Sequence, residues 1–250
     1  MSASDAPHAW TIARHRMRID VPGAAVLWLL FAAGVAALVA GVAIFGTIAI
    51  SGWEQASGVP RWYMGITGVY LTWSSLPLYV AHGHTRREFA VQAPVAIAAT
   101  TTVVALLMTM GYAIETAVYR AAGWPQTLTR EHLFDTPDQL LLVFTEFWLV
   151  FAVWCLAGAL LGAGFYRNQG SLGLLMLPVA LLMVGIIEYT VGDGIGSMPF
   201  GFVQAVLQPL ATLDPGSVAT AVAIWSGVMV TGGTLTWAVI RDMPLRNKPA

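Results

Sequence analysis

Apolar residues run uninterrupted for long stretches of this chain instead of alternating with polar ones. Such runs occupy 24–50, 62–81, 91–118, 138–165, 172–191 and 217–240. Each reaches or approaches the ~20 residues that a helix needs to cross about 30 Å of hydrocarbon. Their continuity argues against a β-barrel, whose strands alternate with period two. The pattern predicts an all-α membrane protein with six transmembrane helices in a single domain, 1–250.

A seventh apolar segment, 198–213, is shorter and carries Pro199 and Pro209. Proline removes a helix donor and clashes with the preceding turn, so a helix here would be broken. Charge decides its placement. With six spans and an inside N-terminus, Arg14, Arg16, Arg18, Arg86, Arg87, Arg167, Arg241, Arg246 and Lys248 lie inside, and only Arg61, Arg120 and Arg130 lie outside. That bias follows the positive-inside rule, and a seventh span would erase it. The segment therefore reads as an outer re-entrant hairpin before the last span. Both termini are expected in the cytoplasm, with the chain in the inner (cytoplasmic) membrane as a multi-pass protein.

Residues 1–23 hold Trp10, Ile12, Met17 and Ile19 among Arg14, Arg16 and Arg18. This suits a short helix lying in the cytoplasmic interface, its arginines towards lipid phosphates. Pro22 and Gly23 are expected to break it before the first span. The apolar run that follows is longer than the 7–15 residues of a signal h-region, so no cleaved targeting segment is expected. Residues 241–250 form a cytoplasmic tail.

Composition agrees with a lipid setting. The chain is 57% hydrophobic and 10% charged, with mean hydropathy +0.71, against about 25% charge in soluble domains. Net charge is −1, which gives no electrostatic reason to expect nucleic acid. The one cysteine, Cys155, leaves no internal disulfide.

Several chemistries are excluded by missing parts. The only lysine is Lys248, so no phosphate-cradling Gly-rich loop ending in Lys-Ser/Thr exists. The chain is not expected to be an enzyme, nor to hold a cofactor or metal itself. His8, His15, His82, His84 and His132 all avoid the apolar runs except His82 at an edge, which argues against haem held between spans. Ser197 follows Gly196, but no histidine lies beyond His132 to act as its base.

Three carboxylates fall in or near the runs: Glu115, Glu146 and Glu188. Burying a carboxylate in lipid is costly, so each is expected to face protein or water. Glu146 lies deepest, about 12 Å into its run at 1.5 Å per residue. They are candidates to line a translocation pathway, or to pair with Arg120 or Arg61.

The loop after the second run reads His82-Gly83-His84-Thr85-Arg86-Arg87-Glu88-Phe89. Gly83 can end a helix. Thr85 then suits an N-cap, with Glu88 completing a capping box. A short helix from Arg86 would lie on the membrane surface and offer two arginines and Phe89 to a soluble partner.

This Gly-x-Thr-Arg-Arg-Glu-Phe string resembles the cytoplasmic coupling segment of ABC-2-type transporter permeases. The layout is similar too: an amphipathic N-terminal helix, six spans and a broken hairpin before the last. The resemblance implies the transmembrane subunit of an ATP-driven exporter, with ATP and Mg on a separate ABC ATPase subunit that grips residues 83–89. It also implies that the N-terminal helix and the turn Tyr166, Arg167 and Asn168 share that contact. A second permease copy would complete the pathway as a homodimer. Gly34, Gly41, Gly46, Gly158, Gly162 and Gly164 are candidates for its seam, since small residues let helices approach closely. The apolar spans suit a small amphipathic or hydrophobic substrate. Two other readings remain open: a proton-coupled secondary transporter using Glu146, and a non-transporting membrane scaffold or immunity protein.

Overall fold

The computed structural model describes residues 11–167, 171–190 and 218–243. Trp10, Asn168, the expected hairpin at 198–213, Gly196 with Ser197, and the tail beyond 243 lie outside the described residues.

The described residues form helices and connecting loops, without a strand. In order they are α1 (Thr11–Phe45), α2 (Gly52–Ala56), α3 (Gly58–Tyr70), a π-helical turn (Leu71–Ser75), α4 (Leu76–Ala81), α5 (Arg86–Ala122), α6 (Leu140–Arg167), α7 (Ser171–Thr190) and α8 (Val218–Arg241). Five of them, α1, α5, α6, α7 and α8, are long and apolar enough to cross a membrane. The expected second span, 62–81, is instead a helical rod in three pieces.

Pro77 explains the pieces. It has no N–H to donate to the carbonyl four residues back, and its ring crowds that carbonyl. The ladder widens just before it, and the Leu76 amide donates to Leu71, five residues away, as in a π turn. The Thr72 hydroxyl then donates to the Ala159 carbonyl of α6 at 2.7 Å, which ties the irregular turn to its neighbour.

Helix α6 is the centre of the bundle, packed by α3, α5, α7 and α8. Backbones of α3 and α6 nearly touch. A Cβ on Gly158 would lie 2.0 Å from the Gly65 carbonyl oxygen, and one on Gly68 1.9 Å from that of Cys155. Gly162 likewise faces Thr72 and Val69, and Gly164 faces Gly173 and Met176 of α7. These α6 glycines therefore serve packing within the chain, not the seam between copies that sequence suggested. Gly34 and Gly41 have open space around them. Gly158→Val is expected to destabilise the fold beyond the ~1–3 kcal/mol of ordinary overpacking, because backbone atoms cannot move aside. Size-exclusion profiles of detergent extracts would show it as aggregate, with Gly34→Val monodisperse; two identical profiles would refute the close-packing argument.

Leu29, Leu30, Leu38, Ile44 and Phe45 of α1 are exposed. An outward apolar face of this extent is stable against hydrocarbon, not water.

The N-terminus departs from expectation. Residues 11–45 are one helix running through Pro22, so neither Pro22 nor Gly23 separates an interfacial helix from a span. One lost hydrogen bond is tolerated because the start of α1 is anchored elsewhere. Gln92 of α5 accepts from the Ile12 and Ala13 amides at 3.0 and 3.4 Å, serving as their cap. Arg16 does not reach outward. It is buried, donates to Ser75 at 3.1 Å and sits 5.3 Å from the centre of the Tyr70 ring. Arg14 and Arg18 are exposed.

The Thr85 region is half as expected. Gly83 adopts φ +89° after α4, a conformation that costs glycine little. Thr85 caps α5 and forms the full capping box with Glu88. The helix it starts is not a short surface helix, however, but the first turn of the 37-residue α5. Phe89 is fully buried against the core, one turn into α5 on the face that meets Tyr79, so it is no docking knob.

Candidate functional site

At the end of the bundle opposite Thr85, two loops join. Gly123, in the left-handed conformation at φ +68°, ends α5, and its amide and that of Trp124 bond back to Arg120 and Tyr119. The chain then runs beside the segment before α2. Ser51 donates its amide to the Thr127 carbonyl at 3.0 Å, forming the single bridge between Ile50 and Thr127. Ser51 also caps α2 through its side chain, which accepts from the Glu54 amide.

Four buried carboxylates gather here: Glu54, Glu115, Glu146 and Glu188. Each is satisfied differently. Glu54 accepts from the Thr129 and Arg130 amides and the Thr129 hydroxyl, at 2.9 to 3.0 Å. Glu146 accepts from the Leu133 amide at 2.7 Å. Between them stands His132, its side chain fully buried, with Nδ1 2.7 Å from Glu146 and Nε2 3.5 Å from Glu54. Phe134 stacks on the imidazole, ring centres 4.4 Å apart. Burial works against a charged imidazole, but the bond to Glu146 and the pairing with Glu54 outweigh it and raise His132 to about 9. Burial also opposes the Glu54 carboxylate, yet His132 and Thr129 hold it below its ordinary value. Both ring nitrogens of His132 thus face glutamate oxygens, an arrangement that favours the doubly protonated imidazole.

Glu188 of α7 pairs with Arg61 of α3 and accepts from the Trp154 indole of α6 at 2.8 Å. Ser57 links the two halves, accepting from Arg61 at 3.4 Å and Arg130 at 3.3 Å. Glu115 of α5 accepts from the Ser51 hydroxyl at 2.5 Å, the Trp53 amide at 2.9 Å and the Gln126 amide group at 2.7 Å. Gln126 is held in turn by Thr116.

Three of these carboxylates were legible as Glu115, Glu146 and Glu188, and the structure brings them to one end, each on its own helix. Pairing of Glu188 with Arg61 was one of the expected alternatives; Arg120 instead meets Asp138 on the surface. Glu54, His132, Ser51 and Gln126 were not legible as site residues, because all lie in loops or a one-turn helix. The one available signal was the density of polar residues between 51 and 61.

The other expected site lies at the opposite end. Arg87 is exposed, and Arg86 reaches the Arg241 carbonyl of α8 at 3.4 Å. Arg167, ending α6, donates to the Val239 carbonyl at 3.2 Å. The ends of α4, α6 and α8 and the starts of α1 and α5 thus share one basic face, whereas the carboxylates share the other.

Among the described residues, no three His, Cys, Asp or Glu side chains are arranged to hold a metal ion. No family of known proteins, no curated protein and no solved structure matches the chain.

Proposed function

We propose that this chain is the membrane subunit of an ATP-driven exporter, powered by a separate ATPase subunit that docks on the basic face. The observation that carries this reading is the rigid presentation of Arg86 and Arg87 at the start of α5. Six crossings fit this reading, with the rod Gly58–Ala81 as the second and both termini in the cytoplasm. The basic face is then cytoplasmic, as the positive-inside rule requires.

Coupling has a physical route. The chain has no nucleotide-binding loop, so work must enter from outside. Arg86 and Glu115 lie on the same helix, roughly 43 Å apart at 1.5 Å per residue. Displacement of α5 at its capped start moves the carboxylate end with it, and a partner that binds two positions of α5 unequally shifts their populations. A second copy of the chain would supply the other wall of the pathway. The substrate class that suits the apolar spans is small and amphipathic.

Co-purification of ATPase activity with tagged chain from native membranes tests the proposal. Arg86→Glu with Arg87→Glu is expected to abolish that co-purification while leaving the chain's yield unchanged. Undiminished ATPase in the double variant would remove the basic face from the mechanism. Substrate movement in vesicles driven by a pH gradient, with no ATPase present, would favour proton coupling through Glu146 and its partner His132 instead.

A further inference from the structure

The groove between α1 and α5 has an acidic group at one end and no described cation to match it. It is a cavity of about 440 Å³ that reaches Trp28, Val35 and Ala36 on α1, Gly111 and Glu115 on α5, and Trp53 on α2. That volume lies within the ~300–1,000 Å³ of small-molecule sites. Its floor is buried at Val35, Trp53 and Glu115, while Leu29, Met110 and Ile114 at the rim are exposed, so the groove opens sideways.

Charge complementarity says what it takes. Of the four carboxylates, Glu54 and Glu146 share His132, and Glu188 has Arg61. Glu115 is only 8% exposed, yet its partners are neutral: the Ser51 hydroxyl, the Trp53 amide and the Gln126 side-chain amide, with the Tyr119 hydroxyl beside them. All three donate, so the group presents itself as an acceptor. None of these donors carries a charge to cancel that of the carboxylate. An uncompensated carboxylate in an apolar setting is costly until a cation joins it. The same groove is lined by the aromatic rings of Trp28, Trp53 and Tyr119, and ring faces attract cations.

We propose that this groove binds a lipophilic cation, an ammonium group with an apolar tail. The ammonium sits at Glu115 among the aromatic rings, and the tail lies along the apolar walls towards Leu29 and Ala36. The site belongs to this chain alone and does not depend on an ATPase partner.

The test uses the full chain in nanodiscs of zwitterionic lipid, with radiolabelled decyltrimethylammonium and decanol as probes in equilibrium dialysis. Binding is read above that of protein-free discs. Decyltrimethylammonium is expected to bind saturably, at one site per chain and at least tenfold tighter than decanol. Glu115→Gln should weaken the cation at least tenfold and leave decanol unchanged. Ala36→Trp, which fills the groove without touching the carboxylate, should weaken both. Equal binding of the two probes would show a groove for any acyl chain, and so overturn the proposal. Unchanged cation binding in Ala36→Trp would overturn it as well. If Glu115→Gln fails to fold, the preference of the unaltered chain and the Ala36→Trp result decide the matter without it.

Discussion

Replacing His132 with glutamine is expected to flatten the pH dependence of stability between about pH 6.5 and 9. The imidazole ordinarily titrates near 6.5 and is raised to about 9 in the folded chain. Below 6.5 both folded and unfolded chains carry the proton, and the clasp contributes in full. Between the two values only the folded chain holds it, so stability falls as pH rises and the contribution is gone above 9. The span of the shift corresponds to roughly 3 kcal/mol. Glu54 acts at the other limit: its lowered value adds stability above the ordinary carboxylate range, lost on acidification. Unfolding of purified protein in detergent, followed from pH 6 to pH 9.5, measures the slope. His132→Gln should start lower at pH 6 and change little across the range. A glutamine variant with the slope of the unaltered protein would show that the clasp does not carry the proton.

The second large effect concerns Arg61. Its guanidinium and the Glu188 carboxylate are both buried, and they pair across α3 and α7. Arg61→Met withdraws the guanidinium that pairs with Glu188 and leaves the bond from the Trp154 indole in place. Breaking a buried pair from one side costs about 3–5 kcal/mol, because the charge left behind is uncompensated. In a chain of this size that corresponds to a fall in melting temperature on the order of 10 °C. Arg61→Met with Glu188→Met removes both charges at once and is expected to recover most of the loss. A double-mutant cycle gives the coupling. If the single variant melts within about 2 °C of the unaltered chain, the pair is not a structural element.

How much was legible depended on the length scale of each feature. Five long helices follow from continuous apolar runs, since 20 residues of one character average out local exceptions. The Thr85 cap was legible because its signal is complete within four residues. What escaped needed partners distant in sequence. Pro22 reads as a breaker, and the contacts that anchor the start of α1 ahead of it, Ile12 to Gln92 and Arg16 to Ser75, are made with other helices. Phe89 reads as exposed when Arg86 is taken to start a surface helix, and becomes core once α5 is one rod packed beside Tyr79. His132 is a loop residue in the sequence; its burial depends on Glu54 and Glu146, 78 positions before and 14 after it. Loop residues that fold over a helix end carry no periodicity, so their pattern does not announce them.

Pro77 also settles an orientation. The π turn lodges one more residue than a regular helix would, and each residue of a helix advances the side-chain direction by about 100°. Tyr79 follows that turn and points at Ile12 and His84. In an unwidened rod it would be turned by about 100° from the first turn of α1, and the chain would leave Ala81 from another side. A single ring one turn from the end of the rod thus steers where the Gly83 corner emerges and which helix it greets.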